Sequence, residues 1–257
     1  MSTDPYDRLD APALRALLAQ RDAQLAEQAA GMEEWMHAVS HDLRAPLRHI
    51  TSYGPLVREL LQESGLPAEA QQEALVFLDT MDQSARRMGR MLEGLLALSR
   101  IARAPLRREA VDLAALVEPV RASLAEAAQG RSVQWRIAPD LPTVQGDATL
   151  LRQMLTELLA NALKFTRGRE PACIAVGWER GADGQFALTV QDNGAGFNPA
   201  QAAGLFGIFQ RLHRESEFEG VGAGLAAVRA IVRRHGGEAR AAAVPGEGCT
   251  VRVCWAG

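Results

Sequence analysis

Seven small or apolar positions, Leu78, Met81, Ala85, Met88, Leu92, Leu95 and Ser99, alternate by three and four residues. That spacing lays them along one narrow stripe of a helix, predicted from about Ala68 to Arg103. Leu43, Leu47, Ile50 and Val57 make a comparable face on a preceding helix that should end near Gln62, before the break Ser64-Gly-Leu-Pro67. Two helices joined so closely form an antiparallel hairpin. A lone hairpin cannot bury a continuous seam, and a second copy completing a dimeric four-helix bundle is the economical solution. Upstream, Leu18, Leu25, Met32 and Val39 recur every seven residues, whereas the alternate seam Leu14, Arg21, Gln28, Trp35 is only half apolar. The start of the chain therefore reads as a weak coiled-coil stalk, either carrying motion from an input domain or simply holding a dimer together.

The pattern changes after Ala104-Pro105 and Arg107-Arg-Glu109, which read as a linker. Asp112 can cap a helix through Gly130, and Ser132–Ile137 alternates like a strand. A strong helix is predicted from Asp147 to Thr166, then strands Cys173–Arg180 and Gln185–Gln191. A glycine-rich irregular region runs from Asp192 to Gly224, followed by a helix from Leu225 to His235. Glu238–Val244 and Cys249–Trp255 close the chain as a hairpin. The expected organisation is a stalk (1–30), a helical hairpin (31–103), a linker (104–110) and an α+β domain (111–257) with helices on one face of a mostly antiparallel sheet.

Composition narrows the function classes. A net charge of −3 with pI near 6.0 leaves no basic footprint for nucleic acid. No apolar run approaches a membrane span, and Met1-Ser-Thr-Asp-Pro-Tyr is no signal peptide. The three cysteines, Cys173, Cys249 and Cys254, lack metal-type spacing and suit a reducing compartment. A cytoplasmic protein is expected, without membrane or nucleic-acid partners. Lys164 is the sole lysine among 28 basic residues.

Chemistry-bearing residues fall in three places. His41 points away from the apolar stripe and has Asp42 beside it, so a carboxylate can hold one ring nitrogen's proton and leave a lone pair on the other. Pro46 lacks the N–H that would reach the carbonyl of Asp42, so a kink is expected one turn later. On the helix from Asp147, Glu157, Asn161 and Lys164 share one face, an oxygen-and-ammonium stripe suited to a divalent cation and phosphates. Asp192-Asn-Gly-Ala-Gly-Phe197 delivers a carboxylate from a strand end into tight glycines, where it can accept from an exocyclic amine such as that of adenine. Gly220-Val-Gly-Ala-Gly224 precedes a helix N-terminus and exposes N–H groups toward anions, without the flanks of a Rossmann or Walker loop.

The run S-H-D-L-R-A-P-L around His41 resembles the phosphoacceptor box of two-component sensor histidine kinases, especially the phytochrome-like group. E-L-L-A-N-A-L-K-F, D-N-G-A-G-F, L-F-G-I-F-Q-R-L and G-V-G-A-G-L resemble, in order, the nucleotide boxes of the histidine-kinase ATPase domain. That domain is an α/β sandwich of the Bergerat type, shared with Hsp90, gyrase B and MutL. The resemblance implies ATP and Mg²⁺ as cofactors and phosphoryl transfer to His41, with Asp42 orienting the ring. It implies that Asn161, with Glu157, holds the metal, that Lys164 contacts phosphates and that Asp192 binds adenine. Gly194 and Gly196 would shape the pocket; Gly220, Gly222, Gly224 and Leu225 would form the hinge and phosphate loop. Residues between Phe197 and Gly220 would be a lid, with Phe206 and Phe209 as anchors or as plain core residues. The implied partners are a second copy, a response regulator's receiver domain and a sensor or input protein supplied in trans.

Glu157 stands where asparagine is frequent, Ala195 and Ala223 where isoleucine is, and Val221 where threonine is. These departures bear on ATP affinity and motivate an alternative, a degenerate scaffold that dimerises and binds a regulator or partner kinase without turnover. An ATP-driven clamp on the same nucleotide fold is a third possibility, which the His41 box argues against. His37 reads as a packed helix residue and His213 carries no assigned role. Ala45 occupies the position where members that strip phosphate from their regulators often carry threonine or asparagine, so kinase activity is expected to predominate.

Overall fold

The computed structural model describes residues 11–181, 185–214 and 217–256. Two compact units divide the chain at Gly89/Arg90. In the first, α1 (Ala11–Glu63) and the opening turns of α2 (Ala68–Arg103) form the expected hairpin elements around the break at Ser64–Pro67. Pro46 and Pro55 both lie inside α1 without ending it, although each removes one backbone donor. Asp79 of α2 pairs with Arg58 of α1, and Gln71 Nε2 donates to the Leu61 carbonyl at 2.8 Å. The stalk positions Leu14, Leu18, Leu25, Gln28, Met32 and Trp35, like His37, lie outside the described side chains. The α2 seam divides: Ala85 is buried, Leu78 and Leu92 are half-buried, and Met81 and Met88 are exposed. On α1, Leu43, Ile50, Tyr53, Leu56, Val57 and Leu60 are exposed as well.

The second unit begins with the last turns of α2 and continues β1 (Glu109–Asp112), α3 (Leu113–Ser123), β2 (Val133–Ile137), β3 (Thr143–Gly146), α4 (Ala148–Phe165), β4 (Ala172–Arg180) and β5 (Gln185–Asp192). A 3₁₀ turn (Pro199–Gly204), α5 (Gly224–Arg234), β6 (Glu238–Val244) and β7 (Gly248–Ala256) complete it. The sheet runs β2-β4-β5-β7-β6, antiparallel except for β2 against β4. Alternation puts Ile174, Val176, Leu188, Val190, Val253 and Trp255 on one face, where they bury against Val117 of α3, Leu155 and Leu159 of α4 and Ile231 of α5. Each such side chain stabilises the fold by about 1.5–3 kcal/mol relative to exposure. Ile101, near the end of α2, joins this core at 2% exposure, and Arg234 of α5 donates to its carbonyl at 2.5 Å. The last turns of α2 thus pack within the α/β unit.

Two local features differ from the sequence expectation. α3 starts on Asp112, which accepts from the amides of Ala114 and Ala115, but stops at Ser123 and not at Gly130. There the Ser123 hydroxyl takes the Val120 carbonyl at 2.7 Å, and the Leu124 amide turns to Arg121 instead. Two short strands, β1 and β3, pair antiparallel where a linker and an unassigned connection were read. At four residues each, they are too short for a period-two signal.

Candidate functional site

α4 carries three polar residues into a cavity of about 340 Å³: Glu157, Asn161 and Lys164. Their face is fixed because Leu151, Met154, Leu155, Leu158 and Leu159 lock the opposite side into the core. The start of the helix is fixed as firmly. Asp147 accepts from the amides of Thr149 and Leu150 at 3.0 and 3.1 Å and, through its second oxygen, from Arg107 at 3.1 Å. Those amides hold its carboxyl below the ordinary range despite the opposing effect of burial. Burial raises the Glu157 carboxyl, opposed by Lys164, and lowers the Lys164 ammonium, aided by Arg211.

Asp192 enters from the end of β5. It is 9% exposed, and burial pushes it up to about 6, against the backbone amides of Gly194 and Cys249. The Gly194 amide donates to it at 2.8 Å; Gly194 does not line the cavity but holds the carboxylate that does. Gly196 has a φ of 61°, and a Cβ there would collide with the Val244 carbonyl, so only glycine fits. Opposite Asp192 on β7, Cys249 also lines the cavity, its thiol pushed up to about 12 by burial and by the neighbouring carboxylate. A thiol raised this far is a weak nucleophile near neutral pH.

A further wall is the loop before α5. Gly220, Gly222, Gly224 and Leu225 all line the cavity. A Cβ on Gly224 would strike the Glu157 carboxylate, so this glycine brings the start of α5 against α4. Phe206 is buried in the core, and Phe209 has a φ of 59° with its amide donating to the Gly222 carbonyl at 2.9 Å. Both phenylalanines therefore tie the preceding segment to fixed structure. Arg211 donates to the carbonyls of Gly220 and Phe218, and Arg167 pairs with Glu219 at 2.6 Å.

The sequence-predicted residues of α4, β5 and the glycine loop thus meet in one cavity. Cys249 and Arg211 were not singled out; the first is recoverable from the β5–β7 register, and the second stood inside the quoted run L-F-G-I-F-Q-R-L without a role of its own. His41 and Asp42 belong to the first unit. His41 is exposed, with its Nδ1 3.2 Å from an oxygen of Asp42. Among the described residues, no cluster of three histidine, cysteine, aspartate or glutamate side chains could hold a metal, and no helix is long and apolar enough to cross a membrane.

The family model described as "Histidine kinase-, DNA gyrase B-, and HSP90-like ATPase" matches residues 146–256, and "His Kinase A (phospho-acceptor) domain" matches 32–104. The chain is 30% identical, over 90% of its length, to the methanogenesis regulatory histidine kinase FilI of Methanothrix harundinacea. It is 30% identical over 91% to cyanobacterial phytochrome A of Nostoc, and 33% identical over 90% to the adaptive-response sensory kinase SasA of a Synechococcus. It spans only 25%, 29% and 61% of those proteins, respectively. The crystal structure of full-length ShkA in complex with AMPPNP superposes with a TM-score of 0.60 at 26% identity, covering 87% of this chain and 45% of that one. With both domain models matched in order over most of its length, the chain belongs to the two-component sensor histidine kinase family.

Proposed function

We propose that the chain is an ATP-dependent protein-histidine kinase that phosphorylates His41 and passes the phosphoryl group to an aspartate of a separate response regulator. The observation that carries this reading is the joint presence of an exposed imidazole paired to a carboxylate and a cavity holding an acid, an amide, a lysine and a glycine loop. The Asp42 carboxylate beside Nδ1 favours the tautomer protonated there, leaving the Nε2 lone pair as nucleophile. Nε2 bonds the γ-phosphorus as the bond to the bridging oxygen breaks and its electrons leave on ADP; the Nδ1 proton passes toward Asp42.

Within the cavity, Asp192 accepts from the exocyclic amine of adenine, and the amides of Gly220–Gly224 with Lys164 receive the phosphates. The amide oxygen of Asn161 and the carboxylate of Glu157 suit Mg²⁺, which takes few protein oxygens and completes its shell with phosphates and water. Bound there, Mg²⁺ supplies positive charge that offsets the charge developing during transfer. The exposed apolar residues of the hairpin support a homodimer in which two such faces close into a four-helix bundle. An input protein or region acts on the stalk, and the reaction takes place in the cytoplasm, where ATP is available. Incubation with γ-labelled ATP and Mg²⁺, followed by a chase with a receiver domain, tests the sequence of steps. Acid-labile, base-stable label on this chain that moves to a base-labile phosphate on the receiver supports it. A chain that dimerises and binds nucleotide yet takes no label is a scaffold.

A further inference from the structure

His213 lies in the segment between Phe197 and Gly220 and faces the nucleotide cavity. Its Nε2 is 2.8 Å from the carbonyl oxygen of Gly196, so the ring donates and the carbonyl accepts. The ring also packs against two phenylalanines that line the same cavity, Phe165 at 5.4 Å and Phe218 at 5.1 Å between centroids. Phe165 and Phe218 meet each other at 4.9 Å, which closes a three-ring cluster. Phe165 belongs to α4, one residue after Lys164, and its carbonyl accepts the amide of Ala195. The cluster therefore connects the lid, the phosphate-side helix and the Asp192–Phe197 loop.

Further polar ties of the lid run to the phosphate loop and toward α4. The Phe209 amide reaches Gly222, Arg211 reaches Gly220 and Phe218, and Glu219 reaches Arg167. Those contacts hold the lid to the phosphate loop, to itself or to the end of α4. The His213–Gly196 bond reaches the loop carrying Asp192. Gly196 tolerates no side chain, because its φ is 61° and a Cβ would meet the Val244 carbonyl.

We propose that His213 is a nucleotide-positioning residue: it latches the lid to the adenine-side loop through Gly196 and sets how long a nucleotide stays bound. This rests on the cavity being the nucleotide site. A closed latch keeps the His213, Phe165 and Phe218 rings together on the cavity wall, beside Lys164. An open one parts the lid from the Asp192–Phe197 loop while the phosphate loop keeps its own ties.

The test uses the full chain and a fluorescent N-methylanthraniloyl ADP. His213→Phe keeps an aromatic ring and removes the donor; His213→Gln keeps an N–H donor and removes the ring. Loss of one ordinary hydrogen bond corresponds to about a fivefold faster release of ADP in His213→Phe. His213→Gln should release more slowly than His213→Phe, and in both the loss should fall on KM for ATP more than on the maximal phosphorylation rate. A purely structural role would lower the melting temperature and leave release unchanged. Release from His213→Phe at the parent's rate overturns the latch, as does equal acceleration in both variants. Failure of the parent itself to bind the fluorescent ADP would instead overturn the nucleotide reading.

Discussion

The backbone amide of Asp147 donates to Nε2 of His235 at 3.0 Å, joining the first turn of α4 to the last residue after α5. Nδ1 of the same ring faces the Ile231 carbonyl at 2.8 Å, which fixes the tautomer with its proton on Nδ1. The imidazole is 2% exposed, so neither partner has water to fall back on. His235→Phe keeps a ring but leaves a buried amide unpaired, and it should destabilise the α/β unit by about 1–3 kcal/mol in urea unfolding. A change within experimental error would mean that the joint contributes nothing.

Asp192 provides a pH signature. Burial raises its carboxyl to about 6, so the ionised form, the one proposed to accept from an adenine amine, is present above that pH and is lost below it. The chain should prefer ADP over IDP, which lacks the amine, by about 10- to 100-fold at pH 7.5, in line with a hydrogen bond to a charged group. The preference should shrink as pH falls through about 6, while phosphate titration cancels in the ratio. Calorimetry with both nucleotides between pH 5 and 8 measures this. A ratio near one at pH 7.5 would remove Asp192 from base recognition.

The large elements and the site stripe were legible because each rests on a signal repeated over many residues. α2 and α4 announce themselves through long apolar periods, Asp112 caps the helix it was expected to cap, and the expected start at Asp147 is the N-cap of α4. Four-residue strands carry no comparable signal, which is why β1 and β3 stayed hidden. Glu157, Asn161 and Lys164 could be grouped from helical spacing alone. His213 could not, since its partner Gly196 lies 17 residues away across irregular chain.

Met88 offers a test of the proposed dimer. It lies on the α2 seam and is 46% exposed in a single chain, with Met81 a turn or two earlier at 55%. If a second hairpin covers them, Met88→Glu buries an unpaired charge and weakens the dimer by about 3–5 kcal/mol. Sedimentation at micromolar concentration should show a dimeric parent and a largely monomeric variant. A folded monomeric parent would refute the bundle.

The central claim is that His41 receives the phosphoryl group. Its most direct measurement is autophosphorylation with γ-labelled ATP in three chains: the parent, His41→Gln and His37→Gln. The expected result is acid-labile label in the parent and in His37→Gln, and none in His41→Gln, with ADP affinity the same in all three. Label that persists in His41→Gln and disappears from His37→Gln would contradict the account.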